Sequence, residues 1–106
     1  VLRGVLQMGR FLGLSSAQLE TLRIAALLHD VGKIGVPDAI LSSPAHLTSQ
    51  EHKMIQQHPL LGALLVSILP DSDELVSVVK HHHERIDGGG YPEGLSGEAI
   101  PFLARV

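Results

Sequence analysis

The sequence lacks several residue types, and each absence excludes a class of protein. With no cysteine among its 106 residues, it contains neither disulfides nor thiolate metal sites. No apolar run reaches the roughly 18 residues of a membrane span, and nothing resembles a signal peptide, so we expect a soluble, cytoplasmic domain. Its 8 basic residues are mixed with 11 acidic residues, which argues against a dedicated nucleic-acid binder.

Histidine, in contrast, is abundant. The chain has seven histidines but only one tyrosine, two phenylalanines and no tryptophan. We therefore interpret the imidazoles as serving chemistry or metal binding rather than packing. The composition, 44% hydrophobic and 18% charged, is that of a globular chain, and the length allows one domain at most.

The spacing of apolar residues is helical along nearly the whole chain, and no segment alternates with the period of two that marks a strand. The sequence therefore predicts an all-α fold, a compact bundle of at least five helices without a sheet. The residues that we expect to be mostly buried are Leu19, Leu22, Ala25, Ala26, Leu28, Leu61, Leu64, Leu65, Val76 and Val79.

Local signals mark the helix boundaries. Gly13 is a stop signal for a first helix, and Ser15 or Ser16 can cap a second helix that runs to about Val31. Two pairs have the spacing of a capping box, Thr48 with Glu51 and Asp71 with Glu74.

The segment 87–97 contains five glycines and one proline, a composition typical of a loop. We expect a positive φ at one or more of Gly88, Gly89 and Gly90, because glycine adopts this conformation without a steric penalty. We also expect Tyr91 to be partly exposed.

His29 and Asp30 are adjacent at the end of the second predicted helix. Adjacent helical side chains diverge by about 100°, so the pair cannot bind one ion as an i, i+4 pair would. It can place the imidazole on one metal and a carboxylate that bridges to a second, as two-metal hydrolytic sites require. The alternative is a helix C-terminus at which the dipole stabilises the histidine.

The run His81–His83, followed by Glu84, is the second cluster. At most two of the three imidazoles can face one site, and a solvated helix face is the alternative interpretation. Together with His29, Asp30 and His58, the run forms a set of nitrogen and oxygen ligands without sulfur. Such a set suits Fe, Mn or Zn in expanded coordination.

Lys33 follows Asp30 by three residues, close enough to share its surroundings on one helical turn. It could hold a substrate phosphate as a point charge, or it could be an ordinary solvated lysine. We predict that His46 and His52 are surface residues.

Two long motifs resemble those of the HD-GYP family. The segment 29–38 is similar to the first signature of the family and the segment 82–92 to the second, with His58, Pro59 and Gly62 matching between them. The resemblance implies an HD-type helical bundle that hydrolyses cyclic di-GMP to linear pGpG or to GMP in bacterial second-messenger signalling. It also implies two or three divalent metal ions, with iron or manganese preferred and zinc as the alternative.

The resemblance further implies roles for individual residues. The metal ligands would be His29, Asp30, His58, His82 and His83. Asp30 and Lys33 would be the catalytic residues, with Lys33 also contacting a substrate phosphate, while His81 would be spare. The loop Gly90-Tyr91-Pro92 would shape the rim of the site and, in some members, dock a GGDEF-type cyclase.

The family pattern also contains a histidine before the first helix and a metal-ligating aspartate in the helix that Pro101 begins. Neither lies within this sequence, so we expect residues 1–106 to form an HD-GYP domain truncated at both ends. The truncated bundle would expose an apolar strip where the final helix should pack, which would favour dimers or aggregation. Two alternatives to the phosphodiesterase stay open: a catalytically weak signalling module that binds nucleotide or a GGDEF cyclase, and another HD-family nucleotide phosphohydrolase.

Overall fold

The computed structural model describes residues 1–41 and 48–106, and within them the chain is helical. The α-helices are α1 (Leu2–Phe11), α2 (Ser16–Leu28), α3 (Asp38–Leu41), α4 (Ser49–Gln56), α5 (His58–Val66), α6 (Asp73–His81) and α7 (Phe102–Arg105). Two 3₁₀ segments cover Val31–Gly35 and Gly97–Ala99. The described residues form no strand, only an isolated antiparallel bridge between Asp87 and Ser96. The predicted all-α fold is confirmed. No helix in these ranges combines the length and apolarity needed to cross a membrane.

Helices α2 and α4 both begin at capping boxes. The Ser15 hydroxyl accepts from the Gln18 amide at 3.1 Å, and the Gln18 side chain accepts from the Ser15 amide at 3.0 Å. Thr48 and Glu51 repeat the arrangement with the same two distances. These reciprocal bonds satisfy two of the donors that a helix N-terminus leaves unpaired. The predicted Thr48 box is therefore confirmed.

Two predicted boundaries are wrong. The second capping box does not form, because Asp71 adopts a left-handed conformation with φ of 52° and α6 begins after Ser72 instead. The Ser72 hydroxyl donates to the Ser67 carbonyl at 3.4 Å rather than capping the helix. Helix α2 also ends before Val31, at Leu28, because the chain then tightens into the first 3₁₀ segment.

The core lies where α2, α5, α6 and α7 meet. Its buried residues are Leu22, Ala25, Val66, Leu75, Val78, Val79 and Leu103. Three residues of the predicted core, Leu22, Ala25 and Val79, are buried, and most of the others are half-buried. The prediction for Leu64 is wrong, since this residue is 67% exposed. Helix α5 is apolar on nearly every side, so its periodicity does not indicate which face is buried.

Helix α5 packs directly against the 3₁₀ segment Val31–Gly35, and two glycines make this contact possible. A Cβ atom on Gly32 would overlap the carbonyl oxygen of His58 and would lie 2.7 Å from the amide nitrogen of Gly62. Both glycines are buried. The close approach of the two backbones brings the end of α2 next to the start of α5, and hence Asp30 next to His58.

Candidate metal centre

Four side chains from separate parts of the sequence converge at this junction. Asp30, His58, His82 and His83 each offer one ligand atom, and these atoms all lie within 4.8 Å of one another. His58 is the first residue of α5, and His82 and His83 directly follow α6. The His58 side chain is 1% exposed, whereas that of Asp30 is 43% exposed. The cluster is therefore closed on the side of the bundle and open to solvent at the carboxylate.

The Asp30 carboxylate lies at the centre of the group, and its two oxygens face different partners. Oδ1 lies 3.3 Å from Nε2 of His58 and 3.7 Å from Nε2 of His82. Oδ2 lies 3.2 Å from Nε2 of His29 and 3.4 Å from Nζ of Lys33. Burial opposes ionisation of this carboxyl, but His29, Lys33 and His58 outweigh it and lower the pKa of Asp30. Asp30 is thus an anion with oxygens directed to two sides.

Three of the histidines are held in the same way. In each, Nδ1 lies at hydrogen-bond distance from the carbonyl oxygen three residues earlier. The bonds join His29 to Ala26 at 2.8 Å, His58 to Ile55 at 2.7 Å and His82 to Val79 at 2.6 Å. Since a carbonyl can only accept, Nδ1 must donate, which leaves the Nε2 lone pair of a neutral ring free. This is the usual outer-shell arrangement of metal-binding histidines.

His83 is held differently. Its ring stacks on Tyr91, with centroids 4.9 Å apart and planes inclined by 18°. Burial, together with the neighbouring His82 and His58, lowers the pKa of His83 to about 4. Burial likewise lowers the pKa of His82. Both imidazoles are therefore neutral near pH 7, the form in which an imidazole binds a metal.

His29 and Lys33 lie at the edge of the cluster. Nε2 of His29 reaches Asp30, and its ring meets that of His82 edge to face at 5.1 Å. His29 nevertheless does not belong to the group of four whose ligand atoms lie mutually within 4.8 Å. The Lys33 side chain is 39% exposed, so its ammonium group is accessible beside the carboxylate.

The other histidines lie elsewhere. His81 is buried beside Glu84, with its Nδ1 atom 3.5 Å from a carboxylate oxygen, and takes no part in the cluster. His52 is exposed on α4, as predicted. His46 lies outside the described residues. Sequence reasoning assigned no role to Glu84, although the residue stands within the second motif.

The loop 87–97 lies beside the cluster and is ordered by side-chain bonds to its backbone. Gly88 has a φ of 81° and Tyr91 is half-buried, so both predictions about this loop are confirmed. The Asp87 carboxylate accepts from the Gly89 amide at 2.8 Å and pairs with the Arg85 guanidinium at 2.9 Å. These bonds lower the pKa of Asp87 to about 2.

Comparison with known proteins identifies the class to which this chain belongs. The HD domain family matches residues 1–106, and the chain belongs to that family. The chain is 44% identical over 97 residues to the cyclic di-GMP phosphodiesterase response regulator RpfG of Xanthomonas campestris, covering 90% of the chain and 26% of that protein.

Two further relatives have similar identities. One is a cyclic di-GMP phosphodiesterase of Pseudomonas aeruginosa, 44% identical over 103 residues, which cover 96% of the chain and 25% of that protein. The other is the 3'3'-cGAMP-specific phosphodiesterase 3 of Vibrio cholerae, 39% identical over 97 residues, which cover 92% of the chain and 21% of that protein. These matches confirm the resemblance to HD-GYP domains. The chain spans about a quarter or less of the length of these curated relatives.

Membership of the HD domain family implies binding of a divalent metal, and the residues present fit one. The four converging side chains supply one carboxylate and three imidazoles. The carboxylate is ionised, two of the imidazoles have lowered pKa values, and His58 has its Nδ1 atom engaged by a carbonyl. Donors of this kind, without sulfur, suit divalent Fe, Mn or Zn.

Proposed function

We propose that this chain is the catalytic domain of a metal-dependent phosphodiesterase that hydrolyses cyclic di-GMP to linear pGpG, GMP or both. The observation that carries the proposal is the convergence of Asp30, His58, His82 and His83 on one half-open site. Two relatives at 44% identity, both named cyclic di-GMP phosphodiesterases, support the choice of substrate.

In this proposal the metal site is assembled around Asp30. The ligands would be His29, Asp30, His58, His82 and His83, and they would hold two or three divalent ions, iron or manganese with zinc as the alternative. When bound, such ions lower the pKa of a water molecule and offset charge on the phosphate oxygens. Asp30 would be the ligand shared by both sides of the site, because its oxygens face His58 and His82 on one side and His29 on the other.

The protein's own groups bind and orient the phosphodiester. Lys33 lies 3.4 Å from Asp30 with a partly exposed side chain, so it retains donors for a non-bridging phosphate oxygen. The Tyr91 ring stacks on that of His83 and so supports this ligand. The Nδ1 atoms of His29, His58 and His82 are engaged by carbonyls, so each ring is fixed in orientation and directs its Nε2 atom towards Asp30.

A hydrolysis assay of the Mn²⁺-loaded chain tests this function. The wild type should convert cyclic di-GMP into pGpG or GMP, resolved by chromatography, whereas Asp30→Ala should lose the activity because the central carboxylate is gone. His52→Ala is the matched control, since His52 is an exposed histidine on α4. Nucleotide binding without turnover by the loaded wild type would instead favour the catalytically weak signalling module.

A second candidate substrate is 3'3'-cGAMP, favoured by the relative of that specificity at 39% identity. The groups assigned to substrate in this proposal would act on the phosphodiester, and cyclic di-GMP differs from 3'3'-cGAMP in one base. Parallel kcat/KM measurements on the two dinucleotides would separate the candidates. The GGDEF-type partner at Gly90-Tyr91-Pro92, the dimer and the cytoplasmic location stay predictions.

A further inference from the structure

Glu84 is buried beside the candidate metal centre, yet the proposed hydrolysis does not use it. Its side chain is 0% exposed. One carboxylate oxygen accepts from the backbone amide of Glu93 at 2.8 Å, and the other accepts from that of Leu95 at 2.9 Å. The two bonds join the end of α6 to the far side of the loop 87–97. Burying a carboxylate is costly unless its oxygens are hydrogen-bonded, and here both are.

The near side of this loop is held against the same residues. A Cβ atom on Gly90 would overlap the carbonyl oxygen of His83 and would lie 2.5 Å from the amide nitrogen of Arg85, so the loop backbone touches the 83–85 backbone. The Tyr91 amide donates to the His83 carbonyl at 3.3 Å. The segment between these contacts and the Glu84 bonds contains Tyr91, whose ring covers His83.

His83 depends on this ring more than the other histidines do. His29, His58 and His82 are each fixed by a carbonyl at Nδ1. Within the described part of the chain, His83 has no such bond, and its ring is contacted by Tyr91 and by the rings of His58 and His82. The orientation of the His83 imidazole therefore depends on where the loop places Tyr91.

We propose that Glu84 is a positioning residue: by accepting from the Glu93 and Leu95 amides, it fixes the loop so that Tyr91 holds the His83 imidazole in its ligating orientation. A carboxylate suits this role because both of its oxygens accept, whereas a glutamine amide offers one acceptor and would direct N–H donors at the second backbone donor. The inference rests on the proposed function in that it takes His83 as a metal ligand.

The test compares Glu84→Gln with Glu93→Gln in the full chain. Both substitutions remove one carboxylate. The Glu93 side chain, however, lies on the surface in an ion pair with Lys80, so its replacement leaves the bonds from the Glu93 and Leu95 amides to Glu84 intact. In metal-free Glu84→Gln, hydrogen-exchange protection of the Glu93 and Leu95 amides should fall by about tenfold or more. The fluorescence of Tyr91 should change as well. This signal can be assigned to Tyr91, because the sequence contains no other tyrosine and no tryptophan.

Binding of Mn²⁺ alone, followed by calorimetry, is the decisive readout. Glu84→Gln should weaken it by about 10- to 100-fold, as loss of an outer-shell partner does, while Glu93→Gln should bind as the wild type does. A Glu84→Gln protein that releases the loop amides but retains its Mn²⁺ affinity would overturn the positioning role.

Two Tyr91 variants keep the proposal testable if Glu84→Gln does not fold. Tyr91→Ala removes the stack on His83 but leaves the Glu84 bonds to the Glu93 and Leu95 amides in place, and it should lower Mn²⁺ affinity to a similar extent. Tyr91→Phe keeps the ring and should therefore bind Mn²⁺ as the wild type does. Unchanged affinity in Tyr91→Ala would refute the proposal. If the predicted affinity differences appear but the wild type does not hydrolyse cyclic di-GMP, the proposed function fails while the role of Glu84 stands.

Discussion

The contact between Gly32 and α5 leaves no room for a side chain, so we predict that even alanine cannot replace Gly32 without a shift of the backbone. In Gly32→Ala, the new Cβ would overlap the His58 carbonyl oxygen and would lie 2.8 Å from the adjoining carbonyl carbon. These are backbone atoms at the first turn of α5, so they cannot rotate away as a flexible side chain would. The 3₁₀ segment and α5 must separate instead.

We expect this separation to destabilise the protein by about 1–3 kcal/mol or more, as overpacking of a well-packed interior does. For a domain near this size, each 1 kcal/mol lowers the melting temperature by about 4–8 °C. The same movement would carry His58 away from Asp30, now 3.3 Å from it, and should weaken Mn²⁺ binding. Chemical denaturation and calorimetry measure the two effects.

Gly4→Ala is the matched control. Gly4 lies within α1, and a Cβ atom added to it would have no neighbour within 4 Å, so alanine there should stabilise the helix by about 0.5–1 kcal/mol. A Gly32→Ala protein that is as stable as the wild type and binds Mn²⁺ equally well would refute the argument that this backbone contact assembles the site.

Two further predictions concern the core and the loop. Leu75→Ala should cost about 2–5 kcal/mol in the free energy of unfolding because Leu75 is 5% exposed, whereas Leu64→Ala should cost less than about 0.5 kcal/mol; equal losses would contradict the assignment of faces. Asp87 should titrate at about 2 by carboxyl NMR, and Arg85→Gln should raise that pKa. Because the pKa of Asp87 is lowered in the folded state, its contribution to ordering the loop is complete above the ordinary pKa of 3.8 and is lost as the pH falls towards 2. An unshifted pKa of Asp87 would exclude the bond to Arg85.

The features that depend on short-range chemistry could be predicted from the spacing and types of the residues. Helical periodicity predicted the all-α fold, and the Thr48–Glu51 spacing located the start of α4. The glycines of the loop 87–97 predicted a positive φ, found at Gly88. The motif residues predicted which side chains would gather, and the structure brings four of the five proposed ligands together. Each of these follows from residues close in sequence or from a resemblance carried by contiguous motifs.

The choice of buried faces and of hydrogen-bond partners, in contrast, depends on how the helices pack in three dimensions. Leu64 matches the helical pattern as well as any core residue, but α5 is apolar all round, and its glycine contact with the 3₁₀ segment determined the buried face. Asp71 had the spacing of a cap, yet the preceding turn placed it at positive φ. The Glu84 carboxylate accepts from amides nine and eleven residues away, those of Glu93 and Leu95. Such contacts depend on how backbones approach one another in space, which local spacing does not encode.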